Sequence, residues 1–146
     1  MGAYELIMIL INELNGKIIF SKYVKDVYIH DDVLEELYFE RRERRLQLFN
    51  SKCGEKDLKY SIDFQHVIGF EMTACDFWGC SPRILDFEYV EHDDRFIIPK
   101  LFKIKEEHDC PDSFLDDQEK YIETVITFIS GDRLTIACEN IIMHNP

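Results

Sequence analysis

The sequence has few of the residues that interrupt or cross-link a chain. Its 146 residues include 6 Gly, 4 Pro and 1 Trp. The 5 Cys are irregularly spaced and form no CxxC pair. An odd number of such cysteines argues against a disulfide framework and predicts free, buried thiols in a reducing compartment.

Positive charge is also scarce. The chain carries 17 Lys and Arg against 29 Asp and Glu, so its formal net charge is -12. Because phosphate binding needs Lys and Arg, this balance argues against nucleic acid or an anionic membrane as a direct partner. It favours a basic protein partner.

Long hydrophobic runs are missing as well. The apolar run at residues 6–11, LIMILI, is far shorter than the ~20 residues that span a bilayer. No basic segment precedes it and no small-residue cleavage site follows. We therefore expect neither a signal peptide nor a membrane span, and a cytoplasmic location.

The sequence contains no HExxH, P-loop, GxGxxG or GxSxG motif. His30, His92 and His108 each precede an acidic residue, but none has the spacing of a zinc site. Neither a metal nor another cofactor is predicted. An enzyme built around the loop that holds Cys75 and Cys80 stays open as an alternative.

Alternation of apolar and polar residues is the strongest pattern present. It predicts one long strand over residues 59–73, with Tyr60, Ile62, Phe64 and His66 on its apolar face and a bend at Gly69. His66 is expected to be a hydrogen-bonded core residue or to lie at a strand end near solvent.

Shorter strands are predicted on both sides of it. They are a hairpin over 33–50 with a turn at 41–44, a strand over 84–91 with Leu85, Phe87 and Tyr89 on one face, and a hairpin over 121–138. Residues 53–57 and 106–119 are predicted loops. Residues 96–104 are a predicted edge or kinked strand, because Pro99 cannot donate to a ladder.

The predicted fold is one domain, mainly β (α+β). It is an antiparallel β-sandwich or a strongly curled sheet of about seven strands, with its β-rich body at 28–143. Residues 3–14 carry apolar residues at helical spacing before Asn15-Gly16, which favours an N-terminal helix over 1–16. A β-hairpin over 3–24 stays open, since Asn-Gly is also a hairpin signal.

The acidic residues are concentrated. Between Asp86 and Glu119 there are twelve acidic and four basic residues. Such a concentration predicts a docking surface for a basic partner, although a solvated loop is the alternative. The predicted partner-binding residues are Glu91, Asp93, Asp94, Glu106, Glu107, Asp109, Asp112, Asp116, Asp117 and Glu119.

Four segments carry a family resemblance: IHDDVLEEL at 29–37, RRLQLF at 44–49, FQHVIGFEM at 64–72 and DFWGCSPRILDFE at 76–88. Together they resemble the small β-rich immunity proteins of bacterial polymorphic toxin and contact-dependent growth inhibition systems. In such a protein the His30-Asp31 pair matches the opening motif and is expected to fix a turn.

The resemblance implies a non-enzymatic protein that binds and blocks a cognate toxin domain. Toxin domains that cut nucleic acid are often basic, so an acidic inhibitor can cover their cleft. A nucleic-acid mimic that inhibits a DNA-binding enzyme is the alternative, because it would also be acidic.

Overall fold

The computed structural model describes residues 16–20, 29–73, 83–108 and 115–144, and within 16–20 only the side chain of Ile19. These residues form nine strands and one helix of eleven residues. In chain order they are β1 (Gly16–Phe20), β2 (Val33–Glu40), β3 (Arg45–Lys52), β4 (Glu55–Gln65), β5 (Gly69–Met72), β6 (Ile84–Tyr89), α1 (Ile97–Glu107), β7 (Ile122–Phe128), β8 (Arg133–Cys138) and β9 (Asn140–His144).

The strands form two antiparallel sheets, as the sequence predicts. Sheet A has the order β1-β9-β4-β3-β2, and sheet B has the order β5-β8-β7-β6. Inward-facing residues of both sheets meet in one core, where Leu48 and Ile62 of sheet A and Ile126 and Ile136 of sheet B are fully buried. The mainly β, two-sheet fold class is therefore confirmed, with more strands than predicted.

Both predicted hairpins are present. β2 and β3 pair across a turn at 41–44, and β7 and β8 pair across a turn at 129–132. The predicted loop at 53–57 is shorter, because β4 already begins at Glu55. Cys138 is buried as predicted, but Cys53 is exposed in that tight turn, so the prediction of a buried thiol is wrong there.

The single long strand predicted over 59–73 is wrong. β4 ends at Gln65 in sheet A, and β5 starts at Gly69 in sheet B. His66 has a φ of 54°, in the left-handed region where histidine is enriched among non-glycine residues. That conformation turns the chain from one sheet to the other, so His66 lies exposed at a strand end rather than in the core.

The predicted strand over 96–104 is also wrong, because this segment forms most of α1. Pro99 lies in the first helical turn, where the missing N–H would have no intrahelical partner. Ile98, Leu101 and Phe102 lie on one face at a spacing of three and four residues and pack on sheet B around Ala137.

α1 lies close to β5 at Gly69. A Cβ atom at that position would come within 2.6 Å of the Leu101 side chain. The glycine therefore lets the helix lie against the edge of sheet B. This is a different role from the strand bend that the sequence predicts at Gly69.

In β6 the register shifts between Ile84 and Asp86. Ile84 and Phe87 point into the core, and Leu85 is 46% exposed. The prediction that Leu85 shares a face with Phe87 is therefore wrong, because a bulge in the strand changes the alternation.

The helix predicted at 1–16 lies outside the described residues except for Gly16, which begins β1. No helix in the described ranges is long and apolar enough to cross a membrane.

Candidate protein-binding surface

Eight of the ten predicted partner-binding residues lie in the described part of the chain, on three segments. Asp93 and Asp94 lie in a short 3-10 turn after β6, Glu91 immediately precedes that turn, and all three side chains are exposed. Glu106 and Glu107 form the end of α1, so the prediction that they lie in a loop is wrong. The third segment carries Asp116, Asp117 and Glu119. Asp109 and Asp112 lie outside the described residues.

An ion pair joins the first and third segments. His92 Nε2 lies 2.9 Å from a carboxylate oxygen of Glu119, and His92 Nδ1 lies 3.5 Å from Asp93. The hydrogen bond to Glu119, and then the one to Asp93, raise the pKa of the exposed His92. The two segments are therefore held side by side most firmly when His92 is protonated.

Hydrogen bonds between side chains and the backbone also hold the first and third segments side by side. The guanidinium of Arg95 donates to the Tyr121 carbonyl oxygen at 3.0 Å. Glu123, which is fully buried, accepts hydrogen bonds from the N–H groups of Phe96 at 2.8 Å and Ile98 at 2.9 Å. This carboxylate caps the helix from a neighbouring strand, because Phe96 at the N-cap supplies no side-chain acceptor.

The end of α1 meets the third segment through Lys105, whose ammonium donates to the Leu115 carbonyl oxygen. The three segments are thus continuous around residues 115–120. We call this region the acidic surface, and define it as residues 91–94, 106–107 and 116–119.

Some of its charge is neutralised within the chain. Lys120 lies 3.6 Å from Asp116 and 3.3 Å from Glu139, and Glu139 raises the pKa of the Lys120 ammonium. The N–H of Asp117 donates to Asp116 and lowers the pKa of that carboxyl. Asp116 is therefore already engaged within the chain.

Other carboxylates of the acidic surface remain available to a partner. Within the ranges that the structure describes, no ion pair involves Glu91, Asp94, Glu106 or Glu107. These four are the strongest candidates for contact with an external cation.

His30 and His108, two of the histidines beside acidic residues, each contact a backbone carbonyl oxygen. His30 Nδ1 lies 2.6 Å from the Leu85 carbonyl oxygen, and His108 Nδ1 lies 2.9 Å from that of Ile104. Among the described residues, no three His, Cys, Asp or Glu side chains are placed to hold a metal ion. Cys75 and Cys80, the basis of the enzyme alternative, lie outside the described residues.

The turn at residues 30–32 is held largely by its last residue. The carboxylate of Asp32 accepts hydrogen bonds from the Cys53 N–H at 2.9 Å and the Tyr60 hydroxyl at 2.7 Å. Asp31 has a φ of 67° and its N–H donates to the Ile84 carbonyl. His30 and Asp31 thus bond to β6 at the turn that they are expected to fix, and the buried Asp32 adds contacts that the sequence does not reveal.

A second feature that the sequence does not reveal is an ion pair in sheet A between the buried Asp63 and the partly exposed Arg45. Asp63 is 1% exposed, and both of its oxygens lie 2.8 Å from Nε of Arg45. His144 lies 3.9 Å away, and the three line a cavity of about 530 Å³. Alternation assigns Asp63 to the polar face of β4, but nothing in the sequence signals that it is buried.

No family model matches the chain, and no curated protein matches it. Among solved structures, the chain is similar to an uncharacterized protein from Neisseria gonorrhoeae, with a TM-score of 0.46 and 15% sequence identity. The match covers 80% of this chain and 92% of that chain. A similarity of this degree identifies neither a family nor a function.

Proposed function

We propose that this chain is an immunity protein that binds and neutralises a cognate toxin domain in the cytoplasm. It acts by stoichiometric binding and not as an enzyme, and the toxin domain is a basic nuclease. The observation that carries the proposal is the acidic surface, in which three separate segments present exposed carboxylates side by side. The resemblance of residues 28–91 to immunity proteins supports the same class.

The physical argument rests on charge complementarity. A protein of net charge -12 attracts a basic partner from a distance, and this steering raises the association rate. Close to the surface, Glu91, Asp94, Glu106 and Glu107 are exposed and can each accept a charge-assisted hydrogen bond from Arg or Lys. A nuclease cleft is basic because it binds phosphate, so it fits such a surface.

The test is co-expression with the toxin domain encoded beside the gene, followed by titration of the purified pair. The wild-type protein should protect cells and form a one-to-one complex. Changing Asp93, Asp94, Glu106 and Glu107 together to Lys should abolish protection and weaken binding by at least about a hundredfold, or 2.7 kcal/mol. The variant should stay folded, since these side chains are exposed.

A control variant with the same change in net charge separates local contact from overall attraction. It replaces four exposed acidic residues outside the acidic surface with Lys, namely Glu36, Glu55, Asp57 and Glu88. This variant should keep protection, with a modest loss of association rate. Equal losses in both variants would reject the acidic surface as the contact site, and protection that requires turnover of a small molecule would reject the binding mechanism.

The nucleic-acid mimic makes a different prediction in the same system. Such an inhibitor would compete with DNA for many unrelated DNA-binding enzymes, because it reproduces a general feature of the duplex. An immunity protein should inhibit its cognate toxin and leave an unrelated basic nuclease active.

A further inference from the structure

A basic recess lies where the β2–β3 turn meets the crossover from β4 to β5. It has a volume of about 570 Å³. We call it the arginine groove and define it by its lining residues, which are Phe39, Arg41, Arg42, Arg44, Val67, Ile68, Gly69 and Phe70.

The backbone on both sides of the groove is fixed by hydrogen bonds. Arg44 has a φ of 51°, and its carbonyl oxygen accepts from the Val67 N–H at 2.8 Å. The Ile68 N–H donates to the Ala137 carbonyl oxygen at 2.9 Å. These contacts tie the turn to the crossover and the crossover to sheet B. The groove therefore exists before any ligand binds, which lowers the entropic cost of binding.

The apolar wall of the groove consists of two phenyl rings. Phe39 is 38% exposed and Phe70 is 36% exposed. Their centroids lie 5.0 Å apart in an edge-to-face arrangement. Adjacent aromatic rings left in contact with solvent within a recess are typical of sites that bury a partner's apolar side chain.

The rim carries unused positive charge. Arg41 and Arg42 are exposed, and no ion pair to either is found within the described ranges. The neighbouring Arg45, in contrast, is held by Asp63 at 2.6 Å. In a chain of net charge -12, this turn is a local reversal of sign. Guanidinium groups bind carboxylates in a planar, bidentate geometry.

We propose that the arginine groove binds a short acidic segment of a protein partner, with an apolar or aromatic side chain between the acids. The apolar side chain packs on Phe39 and Phe70, and the flanking carboxylates pair with Arg41 and Arg42. A nucleic acid does not fit, because the basic rim is confined to one turn and the net charge of the chain repels a polyanion. The arginine groove would thus be a second contact surface, opposite in charge to the acidic surface. Its binding of an acidic segment does not depend on whether the acidic surface binds a toxin domain.

Selection from a display library of random short peptides tests the proposal, because it requires no identified partner. The full chain should enrich peptides that combine Asp or Glu with Phe, Leu or Trp. A selected peptide, labelled with a fluorophore, should then bind in solution. Amide resonances of the groove residues should shift in the NMR spectrum when the peptide is added.

Variants locate the site. Changing Arg41 and Arg42 together to Glu should weaken binding of the selected peptide by at least about tenfold, or 1.4 kcal/mol. Phe70→Ala should weaken it without changing its salt dependence, since the ring contributes no charge. The matched control changes Lys56 and Lys103 to Glu, two exposed lysines outside the groove, and should leave binding within about twofold.

Three results would overturn the proposal. One is enrichment of peptides without an excess of acidic residues. Another is equal binding of a selected peptide to the wild-type protein and the Arg41/Arg42 variant when thermal unfolding shows that both are folded. The third is tighter binding of single-stranded oligothymidylate than of any selected peptide, lost in the same variant, which would assign the groove to nucleic acid.

Discussion

The buried carboxylate of Glu123 is predicted to hold α1 on the sandwich, and Glu123→Ala tests this directly. The Glu123 side chain accepts the N–H groups of Phe96 at 2.8 Å and Ile98 at 2.9 Å, and it is fully buried. The mutation leaves both donors without their acceptor. It also removes a negative charge from the N-terminus of a helix, where the helix dipole favours one.

The magnitude follows from the two lost contacts. A donor left unsatisfied in a buried site costs about 1–3 kcal/mol. Because the Ile98 N–H is buried and that of Phe96 is partly buried, we expect a total loss of about 2–5 kcal/mol in the free energy of unfolding. At about 3 °C per kcal/mol for a chain of this size, Tm should fall by about 6–15 °C.

Chemical denaturation and calorimetry measure this loss, with Glu36→Ala as the control. Glu36 is exposed on β2, so its removal should change stability by less than about 0.5 kcal/mol. The stability of Glu123→Gln should lie between those of Glu123→Ala and Glu36→Ala. Its side-chain amide keeps one acceptor oxygen for one backbone N–H but turns its own N–H toward the other. A Glu123→Ala protein as stable as the Glu36 control would refute the capping argument.

Two further predictions concern titration and a buried hydrogen bond. NMR titration should give His92 a pKa above 6.5, and Glu119→Gln should lower it, because the hydrogen bond to Glu119 is the main cause of the raised value. The contribution of this pair to stability is fully present below the unfolded pKa of His92 and is lost as pH rises through the folded one. Tyr60→Phe should cost about 1–3 kcal/mol in unfolding free energy, because it leaves an oxygen of the buried Asp32 without the hydroxyl donor 2.7 Å away. A Tyr60→Phe protein that unfolds at the wild-type denaturant concentration would contradict the role given to that bond.

The sheets could be predicted because the residue patterns that specify their strands and turns are local in the sequence. Alternation of apolar and polar residues is visible in β3 and β4, and the hairpins of β2 with β3 and β7 with β8 follow from short polar turns. The missed helix and the unexpected role of Gly69 share one cause, namely that tertiary contacts override the local pattern. Nothing near Pro99 shows that Glu123 will cap a helix there, and nothing near Gly69 shows that Leu101 will lie against it.

The acidic surface was only partly predictable, because tertiary contacts decide its arrangement as well. Composition identifies its residues, but their arrangement depends on contacts between distant segments, such as His92 with Glu119 and Lys105 with Leu115. The sequence also gives no sign that Lys120 engages Asp116 and Glu139. The charge available to a partner is consequently smaller than the acidic residues between Asp86 and Glu119 suggest.

The arginine groove was missed because its parts are far apart in the chain. The sequence predicts residues 41–44 only as the turn of a hairpin, and the structure confirms that turn. Only the crossover at residues 67–70 makes that turn one wall of a recess with exposed aromatic rings.

The salt dependence of association with the toxin domain tests the central claim most directly. Stopped-flow measurement over a range of NaCl concentrations should show a rate constant for the wild-type protein that falls steeply as salt rises, because the encounter is steered by charge. The variant with Lys at positions 93, 94, 106 and 107 should associate more slowly with a nearly flat dependence, and the control with Lys at 36, 55, 57 and 88 should keep most of the slope. A wild-type rate that does not change with salt, or a slope that the first variant retains in full, would contradict capture through the acidic surface.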